Sequence, residues 1–296
     1  VPELPDVTVY IEALERALNG RPLQGIRLVS PFVLRTASPT PQSLVGQPIR
    51  GVERIGKRIV LRFPEDHFFV VHLMIAGRFK WSDETGAPIP GKIGLAAMDF
   101  ASGTLLLTEA SSKKRASIHV VVGREALRDF DRGGLDVLEA TEARFVERLR
   151  AQNHTLKRSL TDPRIFDGIG NAYSDEILFE AGLSPMKLSQ KLDDAEAGRL
   201  FRATQTVLSR FTDAIRSEAA AGFPPKVTAF RPDMKVHGRY RQPCTVCGTK
   251  IMRIAFAENE LNYCPRCQNE GRLLADRSLS RLMKKDWPKT IEELER

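Results

Sequence analysis

The chain has 296 residues, 42% of them hydrophobic, enough for two cored domains and a small third. Lys and Arg number 45 against 37 Asp and Glu, and the net charge of +8 points to an acidic partner, nucleic acid before anionic membrane. No apolar run approaches the ~18 residues of a spanning helix. The first residues also lack the basic-then-apolar order of a secretory signal, so the cytoplasm, near the nucleoid, is the expected location.

Two prolines in VPELPD predict that no helix starts before Pro5. Asp6 then reads as the N-cap of an amphipathic helix with Val7, Tyr10, Ile11, Leu14 and Leu18 on one face and Gly20 at its end. From about 22 to 137 the texture is short strands: IRLVS, RIVLRF, FFVVHLMI, GLAAMDF, TLLLTEA and SIHVVVG, punctuated by PEDH, DETGAPIPG and ASG. So many short strands predict a β-sandwich or barrel. From about 138 to 222 TEARFVERLRAQ, NAYSDEILFEAG and DDAEAGRLFRATQTVLSRFTDAIRSEAAAG carry helical spacing. The glycine-rich turn DGIGN, with Gly168 and Gly170, precedes a helix starting near Asn171. Backbone N–H groups at such a start can hold a phosphate, and the same turn also reads as a plain helix connector. Residues 223–243 read as a linker rich in Pro, Lys and Arg. The end of the chain holds a basic stretch, SLSRLMKKDWPK, and an acidic helical one, TIEELER.

Cys244, Cys247, Cys264 and Cys267 are the only cysteines, two C-x2-C pairs with 16 residues between them. That spacing suits four thiolates around one Zn²⁺. Two disulfides are the competing reading, but cysteines three apart rarely bond to each other outside redox sites. Four protein ligands leave no open position, so the zinc is structural and chemistry must lie elsewhere. From Arg231 to Lys285 there are 12 Lys and Arg against 5 Asp and Glu. A zinc-stapled hairpin with that surplus reads as a grip for a polyanion.

Five motifs then agree in order: PELPDV, GKRIVLRF, VHLMIAG, LTDPRIFDGIGNAYSDEILFEAGLSP and VHGRYRQPCTVCG…NYCPRCQ. Together, from residue 2 to about 268, they resemble the formamidopyrimidine-DNA glycosylase and endonuclease VIII family of base-excision repair, in a divergent form. The resemblance implies an α+β multidomain fold. An N-terminal helix plus β-sandwich (1–137) is followed by a helical domain with a helix–two-turn–helix (138–222), the linker, a zinc-finger hairpin (244–268) and a tail (269–296). It also implies a monomeric DNA glycosylase, with AP lyase activity, acting on damaged bases or abasic sites in double-stranded DNA. Such an enzyme flips the nucleotide out and fills the gap. In that family a terminal proline amine attacks C1′ and forms a Schiff base, while the next glutamate handles protons at the sugar. Carried over, these are Pro2 and Glu3, with Lys57 on an early strand contacting the flanking phosphates beside the catalytic centre. Ile75 becomes the wedge, and Lys157, Asn171 and Arg239 become phosphate ligands.

The chain also departs from the family pattern. With Val1 present, Pro2 nitrogen is an amide and Val1 carries the α-amine, displaced by up to ~3.5 Å along the backbone. Asn259, between Glu258 and Glu260, stands where the family usually has an arginine on the phosphate beside the flipped nucleotide, which predicts a weaker grip there. Lys113, Lys114 and Arg115 lack the nearby aromatic of the usual gap-filling loop, and Asp6 replaces a common glutamate. Val1 and Asn259 support a second expectation, a catalytically weak or inactive relative that binds damaged DNA. A third is an RNA-binding or zinc-ribbon adaptor.

Overall fold

A computed structural model of the chain describes residues 2–29, 31–220, 222–224, 231–256, 259–275 and 288–294. Contacts divide it into two compact units, Val1–Arg132 with Arg210–Thr228, and Gly133–Ser209 with Ala229–Arg296.

In the first unit, helix α1 (Leu4–Leu18) starts earlier than expected. Its N-cap is Glu3, not Asp6, and Pro5 lies in the first turn, where a missing N–H forfeits no intrahelical bond. Asp6, at the third helical position, reaches back to accept the Glu3 N–H at 2.9 Å. The predicted face holds: Val7, Tyr10, Leu14 and Leu18 are buried in the core and Ile11 packs at its margin.

Around α1 stand eight strands, counted among the described residues. They are β1 (Gly25–Leu28), β2 (Gly51–Ile55), β3 (Arg58–Arg62), β4 (His67–His72), β5 (Gly77–Ser82), β6 (Gly94–Phe100), β7 (Gly103–Glu109) and β8 (Ser117–Val122). They form two antiparallel sheets in the orders β1-β6-β7-β5 and β2-β3-β4-β8. Alternate residues meet in the core: Ile59, Leu61, Phe69, Val71, Ile118 and Val120 from one sheet, Phe79, Ala96, Met98, Leu105 and Leu107 from the other. Each large apolar side chain so buried contributes about 1.5–3 kcal/mol. The outer face of the second sheet is covered by α2 (Arg124–Arg128), whose Leu127 packs on Val60, Phe68 and Val70. The long helix α6 (Asp194–Ala219) contributes its last turns here: Ile215 and Ala219 pack on Val9, and Arg216 grips Glu12 with two bonds at 2.7 and 2.9 Å.

The second unit holds α3 (Glu142–Arg150), α4 (Leu156–Thr161), α5 (Asn171–Glu180) and the first part of α6. Thr141 and Thr155 cap α3 and α4 through their side chains, and Phe145 stacks on Phe166 with ring centroids 4.5 Å apart. The finger is a hairpin of β9 (Met252–Ala255) and β10 (Glu260–Tyr263) followed by α7 (Pro265–Asn269). Beyond it the chain returns to the finger. Arg272 pairs with Thr290, the Leu273 N–H donates to the Lys289 carbonyl at 2.8 Å, and the Ile291 N–H donates to the Gly271 carbonyl at 3.0 Å. Leu274 packs on Ile254, Leu261 and Tyr263, its N–H donates to the Tyr263 hydroxyl at 2.8 Å, and α8 (Ile291–Leu294) buries Ile291. The basic stretch expected in this tail lies outside the described residues except for Pro288 and Lys289. Among the described residues, no helix is long and apolar enough to cross a membrane.

Candidate functional site

Pro2 and Glu3 are buried at the head of α1, with Glu3 only 1% exposed. Val1, the alternative amine, lies outside the described residues. Burial pushes the neighbouring Asp6 carboxyl up to about 7, against the hydrogen bond from Glu3 and the charge of Arg78. Its Oδ1 is buried without a hydrogen-bond partner among the described residues. An acid raised this way holds its proton in the folded state after the unfolded chain has released it near 4. Unfolding free energy therefore falls as pH rises between those values, by at most about 4 kcal/mol. Asp6→Asn keeps the acceptor for Glu3 and removes the titration. Its urea-unfolding free energy is expected to be flatter than wild type between pH 4 and 7, and an unchanged slope would clear Asp6 of the effect.

The Arg78 guanidinium that acts on Asp6 also donates to the carbonyls of Gly77, at 2.6 Å, and Ile75, at 3.3 Å. The head of α1 and the loop after β4 thus share one locale. That loop is tight: the Gly77 N–H donates to the Leu73 carbonyl at 2.9 Å and Met74 takes φ +52°. A Cβ at Gly77 would meet the Leu73 oxygen at 2.2 Å, so only glycine closes it. Ile75 stands at its tip, 45% exposed. Gly77 lies opposite Glu109, so the segment after β7 leaves the same end of the sheet. The fully buried Glu109 carboxylate accepts the N–H groups of Arg115 and Ala116 at 2.8 and 3.0 Å, and the Lys114 ammonium donates to the Glu109 carbonyl. The basic trio Lys113, Lys114 and Arg115 is thereby set beside the Ile75 loop.

Lys57 occupies the turn between β2 and β3, half-buried. Next to it, Arg58, His72 and Ser117 form one cross-strand row. Burial, helped by the charges of Arg58 and Lys57, pushes the His72 imidazole down to about 4, so it is neutral at pH 7. Sequence reasoning passed over His72. The available signal was its place at the end of an apolar strand directly before Leu73, Met74 and Ile75.

In the second unit Asn171 is the first residue of α5, and its side-chain amide donates to the Glu260 carbonyl of β10 at 2.8 Å. Lys157 differs from what a phosphate ligand needs: its side chain is 12% exposed and its ammonium donates to Asp175, at 2.6 Å, and to the Asn171 carbonyl, at 2.7 Å. Arg239 is half-buried, donates to the Met234 carbonyl at 3.2 Å, and keeps a buried Nε–H without a partner among the described residues. Asn259 is exposed at the hairpin turn, where its carbonyl accepts the Phe256 N–H at 2.7 Å. Glu260 beside it is paired with Arg253 at 3.1 Å, while Glu258 lies outside the described residues. The part of the expected linker described from Arg231 onward is docked: the N–H groups of Lys235, Val236 and His237 all donate to the Glu176 carboxylate, at 2.8, 2.9 and 2.9 Å.

The four cysteine sulfurs lie within 4.8 Å of one another, with Cys244 to Cys267 at 3.9 Å and Cys247 to Cys264 at 3.4 Å. A tetrahedral Zn²⁺ with Zn–S bonds of about 2.3 Å needs sulfurs about 3.8 Å apart, so the donor set fits a closed, structural zinc site. Burial pushes the Cys264 thiol up to about 11, a cost that a dication removes by displacing the proton.

Comparison with known proteins gives three domain matches in chain order. They are the formamidopyrimidine-DNA glycosylase N-terminal domain over residues 1–115, the formamidopyrimidine-DNA glycosylase H2TH domain over 135–221, and the zinc finger found in FPG and IleRS over 241–269. An "uncharacterized formamidopyrimidine-DNA glycosylase-like protein" of Mycobacterium tuberculosis is 38% identical over 151 residues, 51% of this chain and 94% of that protein. The chain belongs to the formamidopyrimidine-DNA glycosylase family. A formamidopyrimidine-DNA glycosylase of Carboxydothermus hydrogenoformans is 28% identical over 90% of this chain and all of its own length. The Lactococcus lactis Fpg, in complex with DNA containing an abasic site, superposes with a TM-score of 0.79 at 25% identity, over 90% of this chain and 99% of that one. The family zinc-finger match ends at residue 269, where the return segment of this member begins.

Proposed function

We propose that this member is a base-excision DNA glycosylase with AP lyase activity, acting on damaged or abasic double-stranded DNA of the cytoplasmic nucleoid. The observation that carries this reading is the shared locale of two features: the buried Pro2–Asp6 segment and the glycine-locked loop that raises Ile75, joined through Arg78. One supplies an amine with a carboxylate beside it, the other an apolar wedge for the gap a flipped nucleotide leaves. The Pro2 nitrogen, as a free secondary amine, attacks C1′. The base departs with its bonding electrons and takes up the proton that the attacking amine gives up. Glu3 passes a proton to the sugar ring oxygen as the ring opens to the imine. Within the first unit Lys57 holds the flanking phosphates; within the second, taken by itself, Asn171, Arg239 and Asn259 offer donors to a DNA backbone. Zinc maintains the finger and takes no part in the chemistry.

Borohydride reduction in the presence of abasic duplex is expected to trap protein and DNA covalently, and the mass of the adducted peptide identifies the attacking residue. Absence of any adduct across abasic and oxidised-base duplexes that the protein nonetheless retains would replace this reading with damage binding without turnover.

A further inference from the structure

Lys157 and Asp175 carry a role that a phosphate contact does not describe. The Asp175 side chain is 0% exposed. A carboxylate so placed needs its charge met and its lone pairs filled. Its partners come from three separate segments: the Lys157 ammonium of α4 at 2.6 Å, Nδ1 of His237 before the finger at 2.8 Å, and the Asn262 N–H of β10 at 3.0 Å. Lys157 donates again to the Asn171 carbonyl at 2.7 Å, and the Asn171 amide donates to the Glu260 carbonyl at 2.8 Å. The contacts close a ring that runs Lys157, Asp175, Asn262, Glu260, Asn171 and back to Lys157. It fastens β10 at two points and the start of α5 at one.

Given the DNA-binding role proposed above, on which this rests, we infer that Asp175 is a positioning residue. With Lys157 it forms a buried ion pair that sets the finger hairpin against the first turn of α5, so that Asn259 and Asn171 address the DNA backbone in fixed register. A lysine already neutralised by a buried carboxylate adds no net charge to a DNA contact and releases no counterion on binding. The pair contributes geometry, not electrostatic attraction.

The test is equilibrium binding of zinc-loaded full-length protein to an abasic-analogue duplex over a salt series. The proteins are wild type, Lys157→Met, Lys157→Arg, Asp175→Asn and the double variant Lys157→Met/Asp175→Asn. The single Met and Asn variants are each expected to weaken binding by roughly tenfold or more with an unchanged salt slope, and the double variant to be no worse than the worse single. Lys157→Arg is expected to lose affinity as well, because a planar guanidinium does not fit between the two acceptors Lys157 bridges. The inference is overturned if Lys157→Met lowers the salt slope by about 0.9 while Lys157→Arg and Asp175→Asn bind as wild type, since Lys157 would then be a phosphate ligand. If wild type itself does not bind the duplex, the functional proposal fails separately. Amide exchange in β10 then decides, faster in Lys157→Arg and Asp175→Asn if the pair positions the hairpin and unchanged if it does not.

Discussion

Glu3→Gln is expected to reduce base release and adduct formation at least about a hundredfold, the usual contribution of a positioned general acid–base group. Affinity for an abasic-analogue duplex should change little. The substitution is close to isosteric. The helix start is a capping box in which the Glu3 side chain accepts the Asp6 N–H and the Asp6 side chain accepts the Glu3 N–H at 2.9 Å, and glutamine keeps a side-chain carbonyl oxygen for the first of these bonds. Loss of activity with retained melting temperature would therefore report chemistry. Single-turnover base release from an oxidised-base duplex, measured beside the melting temperature, checks both. Wild-type turnover by Glu3→Gln would remove Glu3 from the mechanism and leave the amine to act with another acid, of which Asp6, pushed up to about 7 by burial, is the nearest in sequence.

Removing zinc is expected to unfold the finger outright. Its hairpin has four residues in each strand, and the apolar cluster at the thiols is Phe179, Val236, Cys244, Ile251 and Cys264. Two short strands on so small a core do not hold together in water. Structural zinc in comparable peptides binds with an apparent ~10–16 kcal/mol at neutral pH, which is folding free energy. Chelation, or Cys264→Ser, should accelerate amide exchange across Cys244–Gln268 by orders of magnitude and abolish tight binding to damaged duplex. Full exchange protection in metal-free protein would show that packing alone sustains the finger.

The zinc site was legible because coordination is local: two cysteine pairs and a turn encode it almost without the rest of the chain. The core face of α1 was legible for the same reason, through helical spacing of Val7, Tyr10, Leu14 and Leu18. Its start was misread because proline was weighed as a breaker, whereas in the first turn Pro5 has no bond to forfeit. Strands β2 and β5 fall inside the stretch read as strands but do not stand out in it, since GVERI and GRFKWS mix charge with apolar residues in a half-buried pattern. FFVVHLMI was read past its end: pairing stops at His72, and the chain then turns through Met74 at φ +52° and the Gly77–Leu73 bond. The ring through Lys157, Asn171, Asp175, Glu260 and Asn262 was wholly illegible. Its members come from elements far apart in the chain, and no spacing rule connects a lysine on one helix to a backbone amide in a zinc hairpin.

The backward turn of the chain after α7 bears on how the protein can be shortened. A version cut at Asn269, where the recognisable zinc-finger region stops, would strip Leu274 from its seat on Ile254, Leu261 and Tyr263 and leave that tyrosine's hydroxyl without its amide donor. The closing residues act as a built-in buttress for the hairpin, and a trimmed protein that loses metal readily would be reporting a missing brace, not a faulty ligand set.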